Sequence, residues 1–196
     1  MATLFVRIPE ERIGVLIGPG GSTKHDIESK TGAQLTVDTE GGEVEVSTGD
    51  DVDPTGAMKA RDMVLAIGRG FSPARAARLL RDDTYLGVID IKRITGKHEK
   101  ASLWRIRSRL IGERGRARTR IEDLSGASVS VFGSTVAVIG QENQLENATR
   151  AVEMLLRGSE HSVVFHFLAR IRRDQAAQAA MAPADEVLDV LPDPEE

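Results

Sequence analysis

Ile17-Gly18-Pro19-Gly20-Gly21, near the start of the chain, is matched 94 positions later by Ile111-Gly112-Glu113-Arg114-Gly115. The register holds outward through Ile27 and Ile121, Glu28 and Glu122, Gly32 and Gly126, Ala33 and Ala127, and Val37 and Val131. Shortening one loop brings Val44 and Val46 onto Val136 and Val138. Shortening a second brings Ala60, Val64, Arg69 and Gly70 onto Ala148, Val152, Arg157 and Gly158. Self-similarity over so many positions, with length differences confined to loops, marks a duplicated unit. The chain of 196 residues is therefore expected to hold two small α+β units, each reading as strand, helix, glycine loop, helix, two strands, helix.

In the first unit Leu4, Val6 and Ile8 alternate as a half-buried strand does, and Pro9-Glu10-Glu11 suits a helix start. That helix runs to Ile17. After the glycine loop, Ser22 or Thr23 can cap a second helix that carries Ile27 and stops at Gly32. Leu35 and Val37, then Val44 and Val46, read as strands around the Gly41-Gly42 turn, and Ala57, Ala60, Val64 and Ile67 lie on a closing helix. Ser72-Pro73 then reads as an N-cap and first helical position, opening a helix through Leu79 and Leu80 that joins the halves. The second unit opens on a strand around Val88, Ile89 and Ile91. Arg105 to Leu110 alternates like a strand, but the repeat places it before the glycine loop, where a helix is expected. After Gly158, Ser159 can cap a helix with Val164, Phe167, Leu168 and Ile171 on one face. The expected division is 1–70, a linking helix at 71–84, 85–158, a C-terminal helix at 159–180, and a flexible acidic tail at 181–196.

A composition of 40% apolar residues supports buried cores, and the absence of cysteine excludes disulfides, thiolate metal sites and cysteine nucleophiles. No apolar run approaches the roughly 18 residues of a membrane span, and Met-Ala-Thr-Leu-Phe lacks a signal-peptide pattern, so a soluble cytoplasmic protein is expected. The net charge of −4 averages over unlike regions. Residues 1–85 carry 10 basic and 14 acidic side chains, residues 86–173 carry 16 and 9, and residues 174–196 carry none and 7. The middle region, with its surplus of seven positive charges, is the candidate for phosphate binding. It holds Arg105, Arg107, Arg109, Arg114, Arg116, Arg118 and Arg120, against one carboxylate, Glu113. A solvated helical face is the competing reading of such a run.

A Gly-x-x-Gly loop between two helices meets a need of single-strand recognition. Bare backbone lets a sugar-phosphate chain come close, and the following helix offers unpaired N–H groups to phosphate oxygens. Base edges can then lie in a groove between helix and sheet, which suits an aromatic content of only 4% better than a stacking platform does. One such tetrapeptide is weak evidence. Two in register within a repeat are strong.

Ile17-Gly18-Pro19-Gly20-Gly21-Ser22-Thr23-Lys24 with Ile27 to Ala33 resembles the core of a type I KH domain. Leu110-Ile111-Gly112-Glu113-Arg114-Gly115-Arg116 through Gly126-Ala127 resembles a second. The extended approach to the second loop and the ending from Gly158 to Leu168 resemble the archaeal Pno/Dim-type proteins of small-subunit ribosome assembly, over residues 3–173. The resemblance implies a non-enzymatic protein without cofactor or metal that binds single-stranded RNA near the 3′ end of precursor small-subunit ribosomal RNA. It also implies a processing endonuclease and the alpha subunit of initiation factor two as partners. On the first loop Gly18, Gly20 and Gly21 would admit the RNA backbone, Pro19 would stiffen the turn and Lys24 would reach a phosphate. On the second, Gly112 and Gly115 frame the loop, and Arg114, Arg116, Arg118 and Arg120 would take phosphates. Glu113 would be turned outward or be offset by the arginines. Ile17 and Ile111 are candidates for the groove walls, whereas Ile27, Val37, Ile121 and Val131 suit the core.

Three other readings compete. The glycine-rich stretch from Gly14 to Lys24 invites comparison with a nucleotide-binding loop, but it lacks Gly-Lys-Ser/Thr and Gly-x-Gly-x-x-Gly. His25, His98, His161 and His166 lack metal-ligand spacing. A KH-fold scaffold that docks an initiation-factor subunit or a nuclease fits the acidic first unit. A KH protein of the exosome-cap or elongation-factor kind would add an S1-type β-barrel, for which no all-β segment is present.

Overall fold

The structure is a computed structural model and describes residues 2–49 and 54–181. The first unit runs β1 (Ala2–Arg7), α1 (Glu10–Ile17), a 3-10 turn at Pro19–Gly21, α2 (Ser22–Thr31), β2 (Gln34–Val37), β3 (Glu43–Thr48) and α3 (Pro54–Gly68). A short α4 (Pro73–Ala76) leads into a 3-10 turn at Ala77–Leu80. The second unit runs β4 (Tyr85–Asp90), α5 (Ile91–Thr95), α6 (Lys100–Ile111), a 3-10 turn at Glu113–Gly115, α7 (Arg116–Ser125), β5 (Ser128–Phe132), β6 (Thr135–Gly140) and α8 (Glu142–Leu156). A final helix, α9 (His161–Met181), follows. Each unit has one antiparallel three-stranded sheet with its last strand central, in the orders β1-β3-β2 and β4-β6-β5.

The register explains the burial. Val6 faces Val44 and Leu35 faces Val46 across β3, while Ile89 faces Val136 and Val129 faces Val138 across β6. These rows meet Ile13, Leu16, Ile27 and Val64 in the first core. In the second they meet Leu110, Ile121 and Val152, with Val164 and Leu168 from α9 added. The stretch from Arg105 to Leu110 is helical, as the repeat required: Leu103 and Leu110 are buried and Ile106 packs beside them, a spacing of three and four rather than two.

The two sheets are covered differently. Glu43-Val44-Glu45-Val46 alternates, with Val44 and Val46 buried and Glu43 exposed. Every residue of Thr135-Val136-Ala137-Val138-Ile139-Gly140 is buried, because Ala137 and Ile139 join the first unit's core from the back of the second sheet. A strand covered on both faces reads as a continuous apolar run. Polar contacts tie the units there: Ser130 Oγ donates to the Arg69 carbonyl at 2.9 Å, and Arg78 donates to Ser128 Oγ at 2.6 Å. From the first unit, Arg12 donates to the carbonyls of Ile67 and Phe71 at 2.8 and 2.6 Å, and its guanidinium stands 5.7 Å from the centre of the Phe132 ring.

Several local expectations change. Ser22 and Thr23 do not cap α2; the capping position is Gly21, in the left-handed region at φ 82°, where no side chain is needed to turn the chain. Ile91 is not in a strand but opens α5, because Asp90 takes the N–H groups of Lys92 and Arg93 at 2.7 and 3.2 Å. Ser159 lies ahead of α9, its N–H bound to the Met154 carbonyl at 2.9 Å. Ser72 does cap α4, accepting from the Arg75 N–H at 3.4 Å, but only one α-helical turn follows before the 3-10 turn. The expected acidic tail, beyond Met181, lies outside the described residues.

Candidate nucleic-acid interface

The two glycine loops share one backbone path. Gly18 and Gly112 have φ of 73° and 72°, Gly20 and Arg114 of 59° and 53°, and Gly21 and Gly115 of 82° and 80°. Arg114 is the one non-glycine residue with positive φ among those described, where a side chain costs on the order of 1 kcal/mol. Each loop glycine has its own task. A Cβ on Gly112 would stand 2.7 Å from the Ala117 Cβ and 2.9 Å from its backbone nitrogen, and one on Gly18 would stand 2.8 Å from the Thr23 nitrogen. These first glycines therefore let the helices close on each other. Gly20 and Gly21 have no atom within 4 Å of an added Cβ, so the open approach lies on the far side of the loop. Pro19 sits at the start of the first turn and is exposed, as Glu113 is in the second. Neither α2 nor α7 has a side-chain cap; the N–H groups of Ser22 and Arg116 bond the Pro19 and Glu113 carbonyls, and the first-turn N–H groups after them are left to an anion or to water.

The arginines sort into two groups. Arg107 donates to the Gly133 carbonyl at 3.3 Å, holding α6 to the β5–β6 turn. Arg109 donates to the carbonyls of Gly158 and Ser159 and fastens α6 to the start of α9. Arg118 lies 3.9 Å from Glu122. Arg105, Arg114, Arg116 and Arg120 are exposed and have no ion pair or side-chain hydrogen bond among the described residues. Arg116 and Arg120 share one face of α7, and Arg118 turns with Glu122 toward β5.

In the first unit a cleft lies between α2 and the edge strand β2, and Glu28, like Glu122 in the second unit, ties helix to strand. Glu28 accepts from the Leu35 N–H at 2.9 Å and Glu122 from the Val129 N–H at 2.7 Å. Lys24 occupies the repeat position of Arg118 and stands 3.7 Å from Glu28. In the first unit the cleft is open, about 610 Å³ in volume, with Lys24, His25, Gln34 and Thr36 in its walls. In the second, Arg75 of α4 bonds Glu122 at 2.8 Å and Arg78 reaches Ser128, so the linker closes over the equivalent edge. Ile27 and Ile121 are core residues, each 1% exposed, whereas Ile17 and Ile111 are half-buried at the helix ends that enter the loops.

Residues 85–173 match the eukaryotic-type KH domain (KH domain type I) found second in Pno1 proteins, and residues 3–66 match the KH domain. A KH domain-containing protein of Methanocaldococcus jannaschii is 44% identical over 169 residues, 86% of this chain and 74% of that protein. The crystal structure of Dim2p from Pyrococcus horikoshii is 48% identical, with a TM-score of 0.81 over 87% of this chain and 99% of that one. The chain belongs to the Dim2/Pno1 family. A second solved structure of Pyrococcus Dim2p, in a complex with the alpha subunit of initiation factor two and rRNA, is 48% identical, with a TM-score of 0.83 over 88% of this chain and 95% of that one. The pre-rRNA-processing protein pno1 of Aspergillus fumigatus is 31% identical over 130 residues, 65% of this chain and 52% of that protein. The Dim2/Pno1 assignment establishes the expected pair of type I KH domains.

Sequence reasoning missed Arg12 and Arg75, whose partners lie 59 and 47 positions away along the chain, and no local pattern marks them. It also missed His161 and Phe165, which stand beside the second loop. Two rings one helical turn apart just after Gly158 were their only trace. Among the described residues no group of three His, Asp or Glu side chains could hold a metal, and no helix is long and apolar enough to cross a membrane.

Proposed function

We propose that this chain is a non-enzymatic RNA-binding factor of small-subunit ribosomal RNA processing, and that it holds single-stranded RNA near the 3′ end of the precursor. The observation that carries the reading is the second loop: a helix start without a side-chain cap, beside Arg114, Arg116 and Arg120, which are exposed and have no ion pair among the described residues. Cations left unpaired at such a loop suit a polyanion. The first loop repeats the backbone path, with Lys24 as its cation, and serves as the weaker grip. Relatives support the RNA class, since Pyrococcus Dim2p forms a complex with rRNA and the Aspergillus relative is named for pre-rRNA processing. The same complex supports the alpha subunit of initiation factor two as a partner. A processing endonuclease as partner rests on the family resemblance.

Arg114→Gly tests the reading without threatening the fold, because glycine suits the φ of 53° that Arg114 occupies. The full chain, titrated with a single-stranded oligonucleotide of the precursor 3′ region, should lose affinity several-fold on this change. Its slope of log affinity against log salt should shrink by about 0.7, one phosphate contact. Equal affinity and equal slope for variant and wild type would remove the second loop from the interface. Crosslinking to total RNA tests the finer claim: sites spread evenly over unrelated transcripts would contradict a 3′-end role.

A further inference from the structure

A cavity of about 460 Å³ opens beside the second loop, between α7 and the first turns of α9, within the roughly 300–1,000 Å³ of small-molecule clefts. Its inner wall is apolar, with buried Ala117 and half-buried Phe165; the exposed Arg116, Arg120 and Glu113 stand at its rim. The rings of His161 and Phe165 lie 5.9 Å apart, tilted by 43°. His161 Nε2 is 2.9 Å from the Arg109 carbonyl oxygen. A carbonyl can only accept, so Nε2 carries the proton, and in the neutral ring Nδ1 is an acceptor. The first unit has no such arrangement among the described residues, since Ser22 and Asp26 hold the repeat positions of Arg116 and Arg120 and no helix packs on α2 as α9 packs on α7.

We infer that this cavity takes one nucleobase of the bound RNA, stacked on Phe165, with the adjoining phosphate between Arg116 and Arg120. The inference rests on the RNA-binding reading above. Charge complementarity favours a nucleotide over an apolar peptide side chain. Two guanidinium groups one helical turn apart, without partners among the described residues, match a phosphate, and an apolar peptide anchor would leave them unmatched. An aromatic face beside them matches a base of any identity, and an acceptor on His161 suits bases that present N–H donors. The site thus extends the strand's path from the glycine loop toward α9.

A set of single-stranded oligonucleotides carrying 2-aminopurine at successive positions reads the site directly, since stacking quenches that base. With the full chain, one position should be quenched by wild type and by Phe165→Tyr, and released by Phe165→Leu, with affinity for the unlabelled strand falling about tenfold in Phe165→Leu. Because Phe165 also packs on the second core, Arg120→Gln, at an exposed position, supplies a variant whose fold is not at stake; its salt slope should drop by about 0.7. If neither variant alters affinity, slope or quenching while Arg114→Gly still weakens binding, the nucleobase site is overturned and the RNA-binding reading stands. That pattern is the one a peptide-docking cavity would give. If wild type binds no single-stranded RNA, both readings fall.

Discussion

Gly112 and Gly115 bound the same loop, but different physics keeps a side chain off each. At Gly112 the obstacle is steric, with Ala117 less than 3 Å from an added Cβ, on top of a φ of 72°. At Gly115 the space is open, apart from an Arg118 guanidinium nitrogen at 3.9 Å, and only the φ of 80° disfavours a side chain. Gly112→Ala should therefore destabilise the protein by about 2–3 kcal/mol, and Gly115→Ala by about 1 kcal/mol. Urea midpoints would check the order, and a larger loss at Gly115 would contradict it. Both glycines were legible from the repeat. Their difference was not, because it depends on how closely α7 approaches α6.

At the scale of elements, the matched glutamates Glu28 and Glu122 stand out. The repeat marked them as equivalent without disclosing a role. Each fastens a helix to the edge strand by accepting a backbone N–H, at 2.9 Å from Leu35 and 2.7 Å from Val129. Glu122→Gln keeps an oxygen for Val129 and should cost about 1 kcal/mol or less. Glu122→Ala strands a buried N–H and should cost about 1.5–3 kcal/mol. Thermal unfolding of the two variants would separate them, and equal losses would assign the effect to the Arg75 ion pair instead. α6 shows the limit of periodicity at this scale. The stretch from Arg105 to Leu110 alternates because Arg107 and Arg109 are committed to backbone carbonyls on neighbouring elements, and the helix puts them there.

At the scale of the whole molecule, the units are joined through the back of the second sheet. Arg12 is the bridge: burial lowers the pKa of its guanidinium, with Glu11 opposing, and the Ile67 and Phe71 carbonyls replace the lost water. Arg12→Ala should cost about 1–3 kcal/mol, and Arg12→Lys should not restore it, since an ammonium cannot span both carbonyls as the planar fork does. Amide exchange should quicken in β5 of the other unit as well as at the end of α3. Changes confined to the first unit would show that Phe132 and Ser130 do not sense Arg12.

The duplication, the order of elements apart from α5, the glycine loops and the basic second unit were determined by the sequence alone, because each is local: a period, a turn residue, a count of charges. The apolar run from Val136 to Ile139, beside the alternating Glu43 to Val46, is the local trace of a sheet covered on both faces. What covers it, the closing of one cleft by Arg75 and Arg78, the division of the arginines into clamps and free cations, and the cavity under Phe165 were decided by tertiary structure alone. Most of these depend on groups distant in sequence being brought within a few ångströms, 26 positions apart for Arg107 and Gly133, 47 for Arg75 and Glu122 and 61 for Ser130 and Arg69, and chain order does not encode that distance.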